Sequence, residues 1–135
     1  MEVKSIEPSS KLNIYTSFSL SNDDVQTLSL LYAPLIGSDA FSLYMYFNSL
    51  LERNKLECES LTHKDLFTIF SLKPKTFLEA RYKLEAVGLL RTYYSEEEYI
   101  YILNAPLTAK SFIKDVSLGL YLYMQFRQQI PHGKT

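Results

Sequence analysis

The fold is decided by residues 62–103, which read THKDLFTIFSLKPKTFLEARYKLEAVGLLRTYYSEEEYIYIL. The segment opens with the pattern of a capping box, in which Thr62 and an acid three residues later satisfy free amides at a helix start. This helix is expected to end near Phe70. Pro74 suits the first position of a second helix, because the N–H that proline lacks would have no partner there. Gly88 is placed to cap the end of that helix.

Two strands are predicted after the second helix, over residues 90–94 and 99–103. Both segments are rich in β-branched and aromatic side chains, which favour strands. Residues 95–98, one serine and three glutamates, are expected to form the turn between them. Helix, turn, helix and hairpin in this order are typical of a winged helix-turn-helix. The predicted fold class is therefore α+β, mainly α, with a winged helix at its centre.

Further elements are predicted on the N-terminal side of this unit. Apolar residues alternate over 12–20, which predicts an N-terminal strand extension. The polar run 21–24 is a strong helix start, and this helix is expected to stop before Pro34. A second helix is expected from about 37 to 53, with apolar residues on more than one side. Such a helix is either fully buried or has a partner surface.

The domain boundaries follow from these elements. Residues 1–11 are polar and are expected to form a flexible segment. The winged-helix domain is expected to span 12–128 and to end in short C-terminal helices over 109–113 and 116–127. Residues 129–135 are interpreted as a tail, which indicates truncation from a longer protein.

The composition excludes several classes of protein. At 135 residues, with 47% hydrophobic and 21% charged side chains, the chain suffices for one globular domain with its own core. The one cysteine, Cys58, forms no internal disulfide, and no signal peptide or apolar run of about 18 residues is present. We therefore expect a cytoplasmic protein. The net charge of −1 argues against a dedicated duplex-DNA binder, which is usually strongly basic.

No motif in the chain indicates catalysis. The four glycines form no phosphate-binding loop, and one cysteine with two histidines makes no convincing metal site. We therefore expect no cofactor and no metal, and we do not expect an enzyme. His63, at the start of a predicted helix, is expected to be an exposed polar residue.

Cations in the helix-turn-helix are the candidates for nucleic-acid contact. Lysine and arginine exceed the acids over residues 62–91, and such charges attract phosphates. Glu96–Glu98, at the tip of the predicted wing, would oppose that attraction. A solvated helix face with ordinary ion pairs is the alternative, and we favour it. The candidate contacts are Lys73, Lys75, Lys83 and Arg91.

Aromatic and methionine side chains are the candidates for a protein interface. The chain has 11 tyrosines and 8 phenylalanines, more than one small core is expected to bury, and tyrosine and methionine are favoured at interfaces. An extended N-terminal strand can also pair with the edge of a neighbouring sheet. The selected interface residues are Tyr15, Phe18, Met45, Tyr46, Tyr121 and Met124.

Three stretches of the chain carry a resemblance to one known family. They are LYAPLIGSDA (31–40), continuing to Leu43 and Tyr44; THK (62–64) with FLEAR (77–81) and LEAVGLL (84–90); and APLTAKSF (105–112) followed by LYLY (120–123). Each stretch alone is weak, whereas all three in this order and with these gaps are specific. From about Tyr15 to Phe126 the chain resembles the N-terminal domains of the Gram-positive-type replication initiation and membrane attachment proteins called DnaB, with their DnaD relatives.

The resemblance implies a role in replication initiation, in which the domain supports primosome assembly and helicase loading. It also implies self-association and contacts with initiation proteins and with the replicative helicase or its loader. The family's DNA binding is attributed largely to a C-terminal helical domain with a tryptophan-containing motif, and this chain has no tryptophan. DNA binding and membrane association are thus expected only of a full-length protein. A winged-helix transcriptional regulator, with residues 73–83 in the major groove, is the alternative function.

Overall fold

The computed structural model describes residues 6–53, 57–115 and 124 of the chain. Helices and a small sheet alternate along these residues, and one helical turn has π-type hydrogen bonding. The elements are β1 (Lys11–Tyr15), α1 (Asn22–Thr27), the π-turn (Leu28–Tyr32), α2 (Ala33–Arg53), β2 (Glu57–Thr62), α3 (His63–Ile69), α4 (Pro74–Ala86), β3 (Leu90–Ser95), β4 (Glu98–Leu103) and α5 (Ala109–Lys114).

The winged helix predicted from the sequence is confirmed. Helix α3 begins with the expected capping box: the Asp65 N–H donates to Thr62 Oγ1 at 3.1 Å, and the Thr62 N–H donates to the Asp65 carboxylate at 3.0 Å. Pro74 is the first residue of α4, and Gly88 follows that helix with a φ of 82°. Strands β3 and β4 pair antiparallel and form the wing.

The prediction that Pro34 stops the first helix is wrong. The chain stays helical from α1 through the π-turn into α2, and the break falls instead at Gly37, where φ is 84°. Pro34 directly follows the π-turn, in which the Ala33 N–H donates to the Leu28 carbonyl five residues back, so the proline lies where the regular α-helical hydrogen bonding is already interrupted. The glycine has no Cβ and adopts the left-handed conformation without steric cost.

The described residues form a sheet of four strands in the order β2-β1-β4-β3, one strand more than the sequence predicted. Strand β1 pairs antiparallel with β2 and parallel with β4, so the N-terminal strand lies inside the sheet. It covers five residues, not the nine that alternation suggested. Strand β2 was not predicted, because edge strands are often short and polar and its pairing with β1 joins residues far apart in the chain.

The core lies between the inner face of the sheet and helices α2 and α4. Leu12, Ile14 and Leu103 come from the sheet, and Phe47 and Phe77 from the helices; all are at most 1% exposed. Burying each such side chain contributes roughly 1.5–3 kcal/mol before entropy is subtracted. The core therefore fixes how the helix-turn-helix sits on the wing.

The described part of the N-terminal segment packs against this core. Ile6 is buried, and the backbone N–H groups of His63 and Lys64 donate to the carbonyls of Ser10 (3.0 Å) and Pro8 (2.8 Å). Ile6, Pro8 and Ser10, which lie in the segment expected to be flexible, therefore contact the winged-helix domain. The expected helix over 116–127 lies outside the described residues except at residue 124, which is helical.

Candidate interaction surfaces

Helix α4 presents its lysines to solvent, as the amphipathic pattern predicted. Lys75 and Lys83 on the helix and Lys73 just before it are exposed, as is Arg91 on β3. Arg81, which contributed to the positive balance of this region, is instead buried. The candidate nucleic-acid contacts therefore reach solvent, with one cation fewer than the sequence suggested.

The turn of the wing carries carboxylates. Glu96 and Glu97 have φ values of 51° and 64°, which is a type I′ hairpin turn without the usual asparagine and glycine. Glu96–Glu98, here called the acidic turn, line a cleft of about 420 Å³ with Glu7, Lys11 and Tyr94 among its other walls. Four carboxylates against one ammonium would repel a nucleic-acid backbone at this end of the domain.

His63 is not the exposed residue that the sequence predicted: it is 0% exposed, among the aromatic rings of α3, α4 and β4. Its Nδ1 lies 2.9 Å from the Ser10 carbonyl and its Nε2 lies 2.7 Å from Tyr101 Oη. Because a carbonyl only accepts, Nδ1 carries the proton and Nε2 accepts from the tyrosine. The position of His63 at a helix start could not predict its burial, since both hydrogen-bond partners are far away in the sequence.

The electrostatics of this buried pair favour the neutral forms. Burial lowers the pKa of His63 to about 4; the hydrogen bond to Ser10 opposes the shift, and the charge of Arg81 adds to it. Burial raises the pKa of Tyr101, although Arg81 lies 3.4 Å from its hydroxyl. Both groups are thus uncharged near neutral pH, and their hydrogen bonds hold the N-terminal segment and β4 against the start of α3.

Arg81 connects α4 to the wing. Its guanidinium lies 5.2 Å from the ring centre of Tyr82 and 5.7 Å from that of Tyr99, and its Nε is 3.7 Å from the Glu85 carboxylate. Tyr99 in turn packs on Tyr94, with ring centres 4.7 Å apart. Cation–π contacts of this kind are worth about 0.5–2 kcal/mol each. The row of side chains orients the wing relative to the helix.

The selected interface residues lie in different environments. Phe18 and Met45 pack partly against the core, and Tyr46 stacks on Phe70 with ring centres 4.1 Å apart. Tyr15 is half-buried on the outer face of the sheet. Met124 is 49% exposed, and Tyr121 lies outside the described residues. Much of the aromatic surplus is therefore engaged within the domain.

Several large apolar side chains that are exposed among the described residues were not predicted from the sequence. Leu30, in the π-turn, is 70% exposed, and Tyr93 and Tyr94 on β3 are 48% and 60% exposed. Ile69 and Ile113 are also exposed. The adjacent tyrosines of β3 were predicted to be in a strand, but their exposure depends on β3 being the outermost strand of the described sheet, which no local pattern reveals.

No group of three or more histidine, cysteine, aspartate or glutamate side chains in residues 6–53, 57–115 and 124 is placed to hold a metal ion. Over the same residues, no helix is both long enough and apolar enough to cross a membrane.

Comparison with known proteins places this geometry in a family. Residues 6–129 match the model of the DnaB N-terminal winged helix domain. The chain is 26% identical over 131 residues to the replicative helicase loading/DNA remodeling protein DnaB of Staphylococcus aureus. The matched region covers 94% of this chain and 28% of that protein. It is also similar to a crystal structure of primosome protein DnaB (residues 1–300) from Geobacillus stearothermophilus, with a TM-score of 0.80, 30% identity, and coverage of 91% of this chain and 48% of that one. The chain thus spans less than half the length of these relatives, and it belongs to the DnaB N-terminal winged helix domain family.

Proposed function

We propose that this domain acts in the initiation of DNA replication, as the part of a cytoplasmic helicase-loading protein that supplies oligomerisation and protein–protein contacts during primosome assembly. The proposal is supported by family membership and by the names of the relatives, a helicase loading protein and a primosome protein. Its partners would be other initiation proteins and the replicative helicase or its loader. DNA and membrane binding are assigned to the remainder of a longer protein.

The observation that carries the protein-contact role is the surface chemistry of the wing. Its tip holds Glu96–Glu98, which disfavour phosphate, whereas its edge strand exposes Tyr93 and Tyr94. Exposed tyrosines on the outermost strand of the described sheet suit protein partners, because a tyrosine contributes apolar area and a hydroxyl at little entropic cost. These surface groups support a role in recognition of a protein partner.

Two measurements test this proposal. Size-exclusion chromatography with light scattering is expected to show self-association of the chain at micromolar concentration, and a clean monomer at high micromolar concentration would contradict oligomerisation. Capture of purified replication proteins, with this chain and the full-length protein as parallel baits, is expected to retain at least one partner on both. Retention by the full-length protein alone would move the contact surface outside this domain.

The alternative is a winged-helix regulator that reads duplex DNA. The observation that favours it is the exposure of Lys73, Lys75 and Lys83 on and beside α4, the helix that would enter the major groove. In that case base-specific binding survives moderate salt, and a Lys75→Glu, Lys83→Glu double variant abolishes it. Arg53→Glu, a charge reversal outside the helix-turn-helix, serves as the control. Equal duplex binding by the two variants would remove this alternative.

A further inference from the structure

Strand β3 is the outermost strand of the sheet that the described residues form, with the order β2-β1-β4-β3. Its residues, LRTYYS, include no proline and no lysine, and it pairs with β4 from Leu90 to Ser95 without a register shift. Proteins usually protect such an edge with a proline, a bulge or a lysine. Among the described residues no strand pairs with the outer side of β3, and such an edge is a template for another strand.

The hairpin geometry decides which backbone groups of β3 are free. A two-residue type I′ turn makes Ser95 and Glu98 a hydrogen-bonded pair, and bonded and non-bonded pairs alternate from there. The Asn104 N–H donates to the Leu89 carbonyl at 2.9 Å, which shows the same alternation at the other end. The N–H and C=O groups of Thr92 and Tyr94 therefore point away from β4.

We propose that this free edge pairs with the same edge of a second copy of the chain. The two β3 strands run antiparallel about a two-fold axis, with Tyr93 opposite Tyr93 of the second copy and Thr92 opposite its Tyr94. The outward groups of Thr92 and Tyr94 then form four backbone hydrogen bonds, and the two Tyr93 rings meet on the outer face of the extended sheet. This inference rests on the self-association proposed above and gives it a location.

Charge selects the antiparallel arrangement. Arg91 lies at one end of β3 and the acidic turn at the other, four or more residues away, which is roughly 13 Å or more along a strand. Antiparallel pairing places Arg91 of each copy next to Ser95 and the acidic turn of the other. It also keeps the two acidic turns at opposite ends of the interface. Parallel pairing would bring the carboxylates together, and like charges opposite each other destabilise a sheet.

Disulfide trapping tests this register. In a Cys58→Ser background, which removes the one native cysteine, a Tyr93→Cys variant is expected to form a covalent dimer on mild oxidation, because the opposed Cβ atoms would be about 4.5–5.5 Å apart. Tyr94→Cys is the matched control: position 94 is more exposed than 93, yet does not oppose itself. Cross-linking of Tyr93→Cys at a rate at least tenfold above the control supports the proposal. Equal rates, or none, would overturn it.

Backbone and charge variants test the same edge without cysteines. Tyr94→Pro removes an N–H that points away from β4, so circular dichroism should stay unchanged while the dissociation constant rises at least tenfold; Tyr94→Ala, which keeps the N–H, should change it less. Arg91→Glu should weaken the dimer, and Arg91→Glu with Glu96→Arg should restore it. Dimers that ignore these changes would overturn the β3 interface and leave the proposed function standing. A monomeric wild-type chain would contradict both.

A partner's strand could occupy the same edge. If the wild-type chain is monomeric and Tyr94→Pro lowers the capture of a purified replication protein, the second copy is the wrong occupant, and the inference about self-pairing is overturned.

Discussion

Acidification should lower the free energy of unfolding through His63, which is hydrogen-bonded to Ser10 and Tyr101. The imidazole is fully buried and neutral, with a pKa of about 4, whereas the same group in the unfolded chain titrates near 6.5. The unfolded state therefore takes up this proton first as the pH falls. The contribution of neutral His63 to stability is complete above pH 6.5, is lost as the pH falls from 6.5 to about 4, and changes no further below that.

The expected loss follows from the difference between the two pKa values. At about 1.4 kcal/mol for each pH unit between 6.5 and about 4, the free energy of unfolding decreases by roughly 3 kcal/mol from this one group. That is a large part of the roughly 5–15 kcal/mol that stabilises an ordinary domain. The cause is physical: an imidazolium would be placed among aromatic rings and near Arg81, and its Nε2 would no longer accept from Tyr101.

Urea unfolding of the wild type and a His63→Phe variant, from pH 7 to pH 4, measures this effect. Carboxylates titrate in both proteins and cancel in the difference, so the stability advantage of the wild type should shrink by roughly 3 kcal/mol across the range. If the variant is too unstable, the imidazole proton resonance of His63 can be followed in a His132→Gln background. A constant difference in stability, or a midpoint near 6.5, would refute the burial argument.

Three further predictions concern local structure, each checked by urea or thermal unfolding. Thr62→Ala removes the side-chain cap of α3 and should lower the free energy of unfolding by about 1 kcal/mol; no change would mean that water replaces the cap. Glu96→Asn with Glu97→Gly should raise it by about 1–2 kcal/mol, because left-handed backbone is costly for glutamate. Destabilisation would contradict the type I′ turn. Tyr44→Phe deletes a 2.7 Å hydrogen bond to the Asn104 carbonyl and should cost about 1 kcal/mol, with an unchanged midpoint as the contrary result.

The elements that could be predicted depend on residues close together in the chain. Examples are the capping box of α3, Pro74 at the start of α4 and the turn of the wing. Each involves residues two to four positions apart, so a short stretch of sequence predicts it. The prediction from Pro34 was wrong because a proline usually ends a helix, whereas here it follows a π-turn whose hydrogen bonding already departs from the α-helical pattern.

The surfaces were harder to predict than the elements. Spacing on a helix identified the exposed lysines of α4, since that face follows from a period of 3.6 residues. It could not show that Tyr46 stacks on Phe70 or that Met45 packs partly against the core, because those contacts join residues from different elements. The candidate nucleic-acid and interface residues remain predictions, now with known positions.

The sequence by itself determined that this chain is a winged helix with no motif for catalysis, because periodicity, caps and turns are local. The tertiary structure alone decided that β2 completes the sheet, that Arg81 joins the helix to the wing, and that His63 is buried. The histidine meets Ser10 and Tyr101 across 53 and 38 positions of sequence. Such contacts depend on how the whole core closes, so no short stretch of sequence contains them.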